Sequence, residues 1–125
     1  MKIQLTSIYV NDPIEAFKFY TETIGFKEQM YMPKANLAIV VSPEEENGTT
    51  LLLEPSDNPI AKEYMTKLYD AGLPAIVLSA DDLQKEHKRL KQSAVVFRKE
   101  PTKTEWGYEA IFDDSCGNWI QLVQQ

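Results

Sequence analysis

The feature that most constrains this chain is an order of elements spelled twice. Residues Ile3 to Val10 alternate as a strand does. Asn11-Asp12-Pro13-Ile14-Glu15 then reads as a helix start, with Asp12 suited to the N-cap, Pro13 to the first helical position and Glu15 to the reciprocal cap. Ala16, Phe19, Tyr20 and Ile24 follow at helical spacing, and Gly25 closes the helix. Strands are predicted at Phe26 to Met32, Ala35 to Val41 and Thr49 to Glu54, with a charged hairpin tip from Ser42 to Gly48. A helical connector lies between Asn58 and Ala71, with Ile60, Tyr64 and Leu68 in line. Then the order begins again. Pro74 to Ser79 is a strand, and Asp81-Asp82 opens a helix holding Leu83, His87, Leu90 and Ala94. Strands follow at Val95 to Phe97 and Trp106 to Phe112, with Glu100 to Glu105 as a loop, and the last strand is Trp119 to Val123.

A lone strand-helix-three-strand unit cannot cover both faces of its sheet. Two of them predict an α+β fold of two βαβββ modules, about 1–56 and 73–125, joined by a connector at 57–72. The expected architecture is a single domain with a curved, mixed eight-stranded sheet, helices outside and a cleft inside.

Alternation then divides each strand between the two faces. Thr6, Ile8 and Val10 oppose Leu5, Ser7 and Tyr9; Leu51 and Leu53 oppose Thr50, Leu52 and Glu54. Ile76 and Leu78 oppose Ala75 and Val77; Ile120 and Leu122 oppose Trp119 and Gln121. The cleft-facing candidates are therefore Leu5, Ser7, Tyr9, Leu52, Glu54, Ala75, Val77, Trp119 and Gln121. Trp106 and Tyr108, with Tyr31, are expected to line or rim the cleft, where aromatic rings can stack a flat ligand. Glu54 is the one acid assigned to the cleft. It is a candidate catalytic base with a pKa raised by apolar neighbours, an anchor for a cationic group, or a carboxylate bonded to Gln121 without further task.

The last stretch, Asp113-Asp-Ser-Cys-Gly-Asn-Trp-Ile-Gln-Leu122, is a tight turn feeding a strand, with Gly117 and Asn118 expected to supply the positive φ the turn requires. It resembles the closing pattern of the vicinal oxygen chelate superfamily, the glyoxalase / bleomycin-resistance / dioxygenase proteins. Val10-Asn-Asp-Pro-Ile-Glu-Ala16, Phe19-Tyr20 and Ile24-Gly25-Phe26 resemble its opening pattern, and Val77-Leu-Ser-Ala-Asp-Asp-Leu83 the start of its second module. The resemblance covers nearly the whole chain and implies homodimers. It also implies four metal-ligand positions, which fall on Leu5, Glu54, Ala75 and Gln121. Leucine and alanine offer no lone pair, and an amide oxygen is a weak neutral ligand, so no metal and no cofactor is expected.

Composition removes other classes. Nineteen acidic against thirteen basic residues give a net charge of −6, which excludes nucleic acid and anionic membrane surfaces as natural partners and suits a cationic ligand. No apolar run reaches the ~20 residues of a membrane span. Met1 to Gln4 lead directly into a strand without a signal-peptide core, and one cysteine permits no internal disulfide, so a cytoplasmic location is expected. The single histidine, His87, rules out a site of two or three imidazoles, and its place beside Leu83 and Leu90 reads as packing. Cys116 lacks a basic neighbour in sequence and reads as a small structural residue. Two functions remain: a metal-free binder that sequesters a small, cationic or aromatic molecule, and a glyoxalase-I-like lyase or dioxygenase relative that uses a divalent metal.

Overall fold

The computed structural model describes residues 1–124. It contains two compact units, Met1–Glu63 and the segment from Tyr64 onward, divided inside the connecting helix rather than on either side of it. Each holds a four-stranded mixed sheet, and the eight strands and three α-helices give the expected α+β fold. The eight strands form two sheets, one per unit, where the sequence reading had one.

The first unit runs β1 (Leu5–Val10), α1 (Pro13–Lys18), β2 (Lys27–Met32), β3 (Leu37–Val41) and β4 (Thr50–Pro55), in the sheet order β1-β4-β3-β2. β1 and β4 are parallel, and the other neighbours are antiparallel. Asp12 is the N-cap of α1, its carboxylate accepting from the Ile14 amide at 2.9 Å, with Pro13 in the first turn. The helix continues as a π-helical segment, Phe19–Ile24, which Gly25 ends at φ 98°. The helix α1 packs on β3 and β4, and Val10, Val40, Leu53 and Tyr20 are completely buried. Tyr31 stacks on Phe17 at 4.1 Å, on the helix face of the sheet and not the face opposite.

In the connecting helix α2 (Pro59–Asp70), Asn58 caps the first turn by accepting from the Ala61 amide at 2.8 Å. The buried positions are Ala61 and Met65, while Ile60 and Tyr64 stand in solvent. The apolar stripe is thus one residue out of phase with the sequence reading.

The second unit repeats the topology with β5 (Pro74–Ser79), α3 (Leu83–Gln92), β6 (Phe97–Thr104), β7 (Gly107–Asp113) and β8 (Trp119–Gln124), ordered β5-β8-β7-β6. Asp82 caps α3 by accepting from the Lys85 amide at 3.1 Å. Ala94 lies beyond the helix in the left-handed region at φ 63°. Leu83, Leu90, Phe112 and Ile120 form the fully buried layer under α3. Removing a ring such as that of Phe112 from a layer like this costs about 3–5 kcal/mol. The segment expected as a loop at Glu100 to Glu105 is largely strand: β6 runs through Pro101 with two shifts of register against β7. Proline is tolerated there because β6 is the edge of its sheet, where a missing N–H breaks no ladder.

The turn before β8 is organised by Asp114, which is completely buried. Its carboxylate accepts from the Cys116 amide at 2.7 Å, the Asn118 amide at 3.0 Å and the Asn118 side-chain amide at 3.0 Å. Positive φ falls on Ser115 and Gly117, not Asn118. Asn118 is needed there as a hydrogen-bond donor.

Candidate functional site

In the first unit the sheet face opposite α1 carries Leu5, Ser7 and Tyr9 from β1 and Leu52 and Glu54 from β4. The strand register sets Ser7 beside Leu52 and Tyr9 beside Glu54. Leu5 and Ser7 are exposed, and Tyr9, Leu52 and Glu54 are half-buried. Ile39 of β3 pairs with Leu52 and shares its face.

In the second unit the face opposite α3 carries Val77 from β5, Glu109 and Ile111 from β7, and Trp119, Gln121 and Val123 from β8, while Ala75 falls in a register shift of β5 against β8 and is not placed there by pairing. Val77 and Ile111 both pair with Gln121, one on each side. This register also adjusts the module comparison. Glu54 pairs with Tyr9 as Gln121 pairs with Val77, so Tyr9 and Val77 are counterparts, whereas Ala75 falls in the register shift between Pro74 and Ile76 and has no paired counterpart in the first unit.

The polar centre of this second face is a carboxylate that sequence reasoning missed. Glu109 Oε1 accepts from Lys99 Nζ at 2.7 Å, and Oε2 accepts from Gln121 Nε2 at 3.1 Å and Thr104 Oγ1 at 3.4 Å. The Glu109 side chain is 13% exposed and that of Lys99 35%. The Lys99 ammonium holds the Glu109 carboxyl below the usual range; burial opposes the shift, and the bonds from Gln121 and Thr104 assist it. Glu109 was legible in principle: Ala110 and Phe112 belong to the core, so alternation sends Glu109 and Ile111 to the face of Gln121. Lys99 was not. It reaches that face through the register shifts of β6, which strict alternation cannot anticipate.

Three aromatic assignments need correction. Tyr108 lies on the helix face, where its hydroxyl accepts from the side-chain amide of Gln84 of α3; it shares its side of β7 with Ala110 and Phe112. Trp106 is 79% exposed at the tip between β6 and β7 and lines neither sheet face. Trp119 does share the face of Gln121, but it is only 8% exposed, because Tyr69 stacks on it at 4.7 Å and 9°. Its indole N–H donates to the Tyr69 carbonyl at 3.0 Å, and the Arg98 guanidinium lies 5.3 Å from its ring. Tyr69 in turn donates its hydroxyl to Asp113 Oδ2 at 2.7 Å. That bond, burial and the charges of Asp113 and Asp114 push the Tyr69 phenol up to about 12, with Arg98 opposing.

His87 lies outside both groups. It packs edge-on against Phe97 at 4.6 Å and bonds to Glu100, which Lys91 also pairs with at 2.9 Å. Cys116 is buried in the turn. Among the described residues no three His, Cys, Asp or Glu side chains gather where a metal ion could be held. The donor chemistry of the second unit also fits a divalent ion poorly: Glu109 is already bound to an ammonium, and Gln121 turns its N–H2 toward that carboxylate.

The family model of the Glyoxalase/Bleomycin resistance protein/Dioxygenase superfamily matches residues 2–122. The chain belongs to that superfamily. Among relatives of this glyoxalase-superfamily chain, the uncharacterized protein YurT of Bacillus subtilis (strain 168) is 50% identical, with all of both chains covered. Among solved structures, UcmS2 superposes with a TM-score of 0.83 at 26% identity, over 100% of this chain and 98% of its own. TnmS3, an antibiotic binding protein from Streptomyces sp. CB03234, gives 0.75 at 28%, over 99% and 95%. Among the described residues no helix is long and apolar enough to cross a membrane.

Proposed function

We propose that this superfamily member is a metal-free binding protein that sequesters a small organic molecule. The observation that carries the reading is the commitment of Glu109 to both Gln121 and Lys99. A carboxylate saturated by an ammonium and an amide is poor at capturing an ion, yet good at fixing polar groups. Those groups stand among Val77, Ile111 and Val123, and a few placed polar atoms in an apolar surround are what small-molecule recognition requires. Similarity to an antibiotic binding protein supports the same choice. The reading includes a homodimer, since each four-stranded sheet leaves edge strands to be covered, and a cytoplasmic location, where the lone buried Cys116 stays reduced.

The test is titration calorimetry of the purified protein with bleomycin and a panel of drug-sized natural products, with and without EDTA. At least one compound should bind stoichiometrically and indifferently to chelator. Binding that EDTA abolishes and nickel or zinc restores overturns the reading in favour of a metal enzyme. So does metal-dependent turnover of the hemithioacetal formed from methylglyoxal and glutathione.

A further inference from the structure

The polar cluster of the second unit also indicates which ligands it can take, if the binding function holds. A carboxylate offers about four lone-pair sites. Glu109 spends three of them on Lys99, Gln121 and Thr104, so it has little left for a ligand. What it does is orient its neighbours. With its N–H2 turned to a carboxylate, the Gln121 amide cannot flip without setting oxygen against oxygen, and its carbonyl must point elsewhere. Among the described residues of this unit Gln121 Oε1 accepts no hydrogen bond, and Lys99 makes no bond besides that to Glu109. Lys99 thus keeps two N–H donors and Gln121 one carbonyl acceptor. The two flank the two oxygens of one carboxylate, on the face that also carries Val77 and Ile111.

Charge decides between ligand classes. Lys99 and Glu109 neutralise each other at 2.7 Å, with the carboxylate largely withdrawn from water and the lysine half-buried. A cationic ligand meets the ammonium first and finds the carboxylate already satisfied. An anionic ligand meets the ammonium but must approach Glu109. A neutral group that offers an acceptor beside a donor satisfies both free partners without stranding a charge.

We propose that Lys99 and Gln121 form a donor–acceptor pair that recognises an uncharged amide-like group, with Glu109 as the residue that positions both. The preferred ligand is then a neutral carboxamide, lactam or comparable donor–acceptor function on an apolar body. The cationic ligand expected from net charge is disfavoured at this face.

Three probes of matched size separate the possibilities: benzamide, benzylammonium and benzoate. Each is titrated into 15N-labelled protein, with the side-chain amide of Gln121 assigned by its loss in Gln121→Asn. Benzamide should shift that amide and bind more tightly than the other two, and Lys99→Met should weaken it at least about fivefold. Glu109→Gln leaves the ammonium unpaired and should invert the preference, so that benzoate outcompetes benzamide. A merely structural role for Glu109 would lower affinity for all three alike, which overturns its assignment as a positioning residue. Preference of the wild type for benzylammonium overturns the proposal. Benzamide binding that moves other residues and leaves Gln121 unmoved overturns it too, while leaving the small-molecule reading intact. Failure of all three probes and of the calorimetric panel removes both.

Discussion

Gln121 and Glu109, on adjacent antiparallel strands and two register steps from facing directly, meet through an N–H···O bond of 3.1 Å on the face opposite α3. Diagonal neighbours in a sheet lie within reach of long side chains. Here that reach sets a neutral amide beside a carboxylate whose charge is answered by Lys99 at 2.7 Å from a third strand. The three strands β6, β7 and β8 are thus tied together by side chains as well as by their ladder.

That tie should be visible in acid. Lys99, chiefly, lowers the folded pKa of Glu109, so its contribution to stability is present above the unfolded value of about 4.3. It is lost as pH falls through the lower folded value. Urea melts of Glu109→Gln should show a flatter dependence on pH below about 4.3 than those of the wild type. At neutral pH the variant should be destabilised by about 1–2 kcal/mol, because Lys99 loses its charged partner.

Tyr69 gives the opposite sign. Its folded pKa is raised to about 12, through the bond to Asp113 first and burial next, so the folded state holds the phenol proton more firmly than the unfolded chain does. The corresponding stability is present below the ordinary value of about 10 and disappears as pH rises toward 12. Tyr69→Phe should lose about 1 kcal/mol at pH 7 and should lack the extra alkaline destabilisation of the wild type. Equal slopes above pH 10 in both proteins would show that the bond to Asp113 is not formed in solution.

The doubling of the element order was written plainly in the chain, because caps such as Asp12 and Asp82 and turn residues such as Gly25 act locally. The face assignment of β1, β4 and β8, and of β5 from Ile76 onward, was legible for the same kind of reason: Leu53, Ile120 and Leu122 must be buried, and period two does the rest. What could not be read were places where tertiary contacts displace the pattern. The bulged edge strand β6 carries Lys99 to a face that simple alternation cannot assign. Trp119 has the right phase to meet a ligand, yet α2 delivers Tyr69 onto it from 50 residues away. Tyr108 has the phase of the core, and that was legible from Ala110 and Phe112 once they were counted.

Gly72 should be costly to replace. Its φ is +73°, and an added Cβ would fall 2.4 Å from Nη2 of Arg98. The left-handed conformation alone costs a non-glycine residue about 1–2 kcal/mol. Gly72→Ala must also push the Arg98 guanidinium off the Trp119 ring, so tryptophan fluorescence should change along with stability. In an Arg98→Ala background the alanine should cost less, leaving chiefly the backbone strain.

Asp114 is the residue on which the final turn depends. Replacing it by alanine removes the carboxylate to which the amides of Cys116 and Asn118 and the Asn118 side chain donate, in a buried turn. Each unsatisfied buried donor costs about 1–3 kcal/mol, so Asp114→Ala should lose at least about 3 kcal/mol and strongly lower the thermal midpoint. Surface changes at nearby Ser115 should be mild by comparison, provided the new residue tolerates φ 61°. Calorimetric melts of the two variants side by side settle the ranking.

Gln121→Glu makes the strongest test of how this face is wired. The change writes a carboxylate into the position the superfamily pattern reserves for a metal ligand, but it places that carboxylate where an amide now donates to Glu109 at 3.1 Å. Two carboxylates sharing a site cannot both ionise cheaply, and Lys99 is one cation between them. The new pair should therefore take up a proton above the ordinary carboxylate range, which raises one folded pKa above its unfolded value. The linkage sign follows: the variant's relative stability is best below about pH 4 and falls as pH rises through the raised value. At pH 7 it should be less stable than the wild type by about 1–3 kcal/mol, and near pH 4 the gap should narrow. Urea melts at the two pH values, each repeated with added nickel or zinc, give the decisive comparison. A variant that is as stable as the wild type at pH 7 would mean that Gln121 does not donate to Glu109. One that gains stability only when metal is added would mean that this face can still be turned into an ion site by a single substitution.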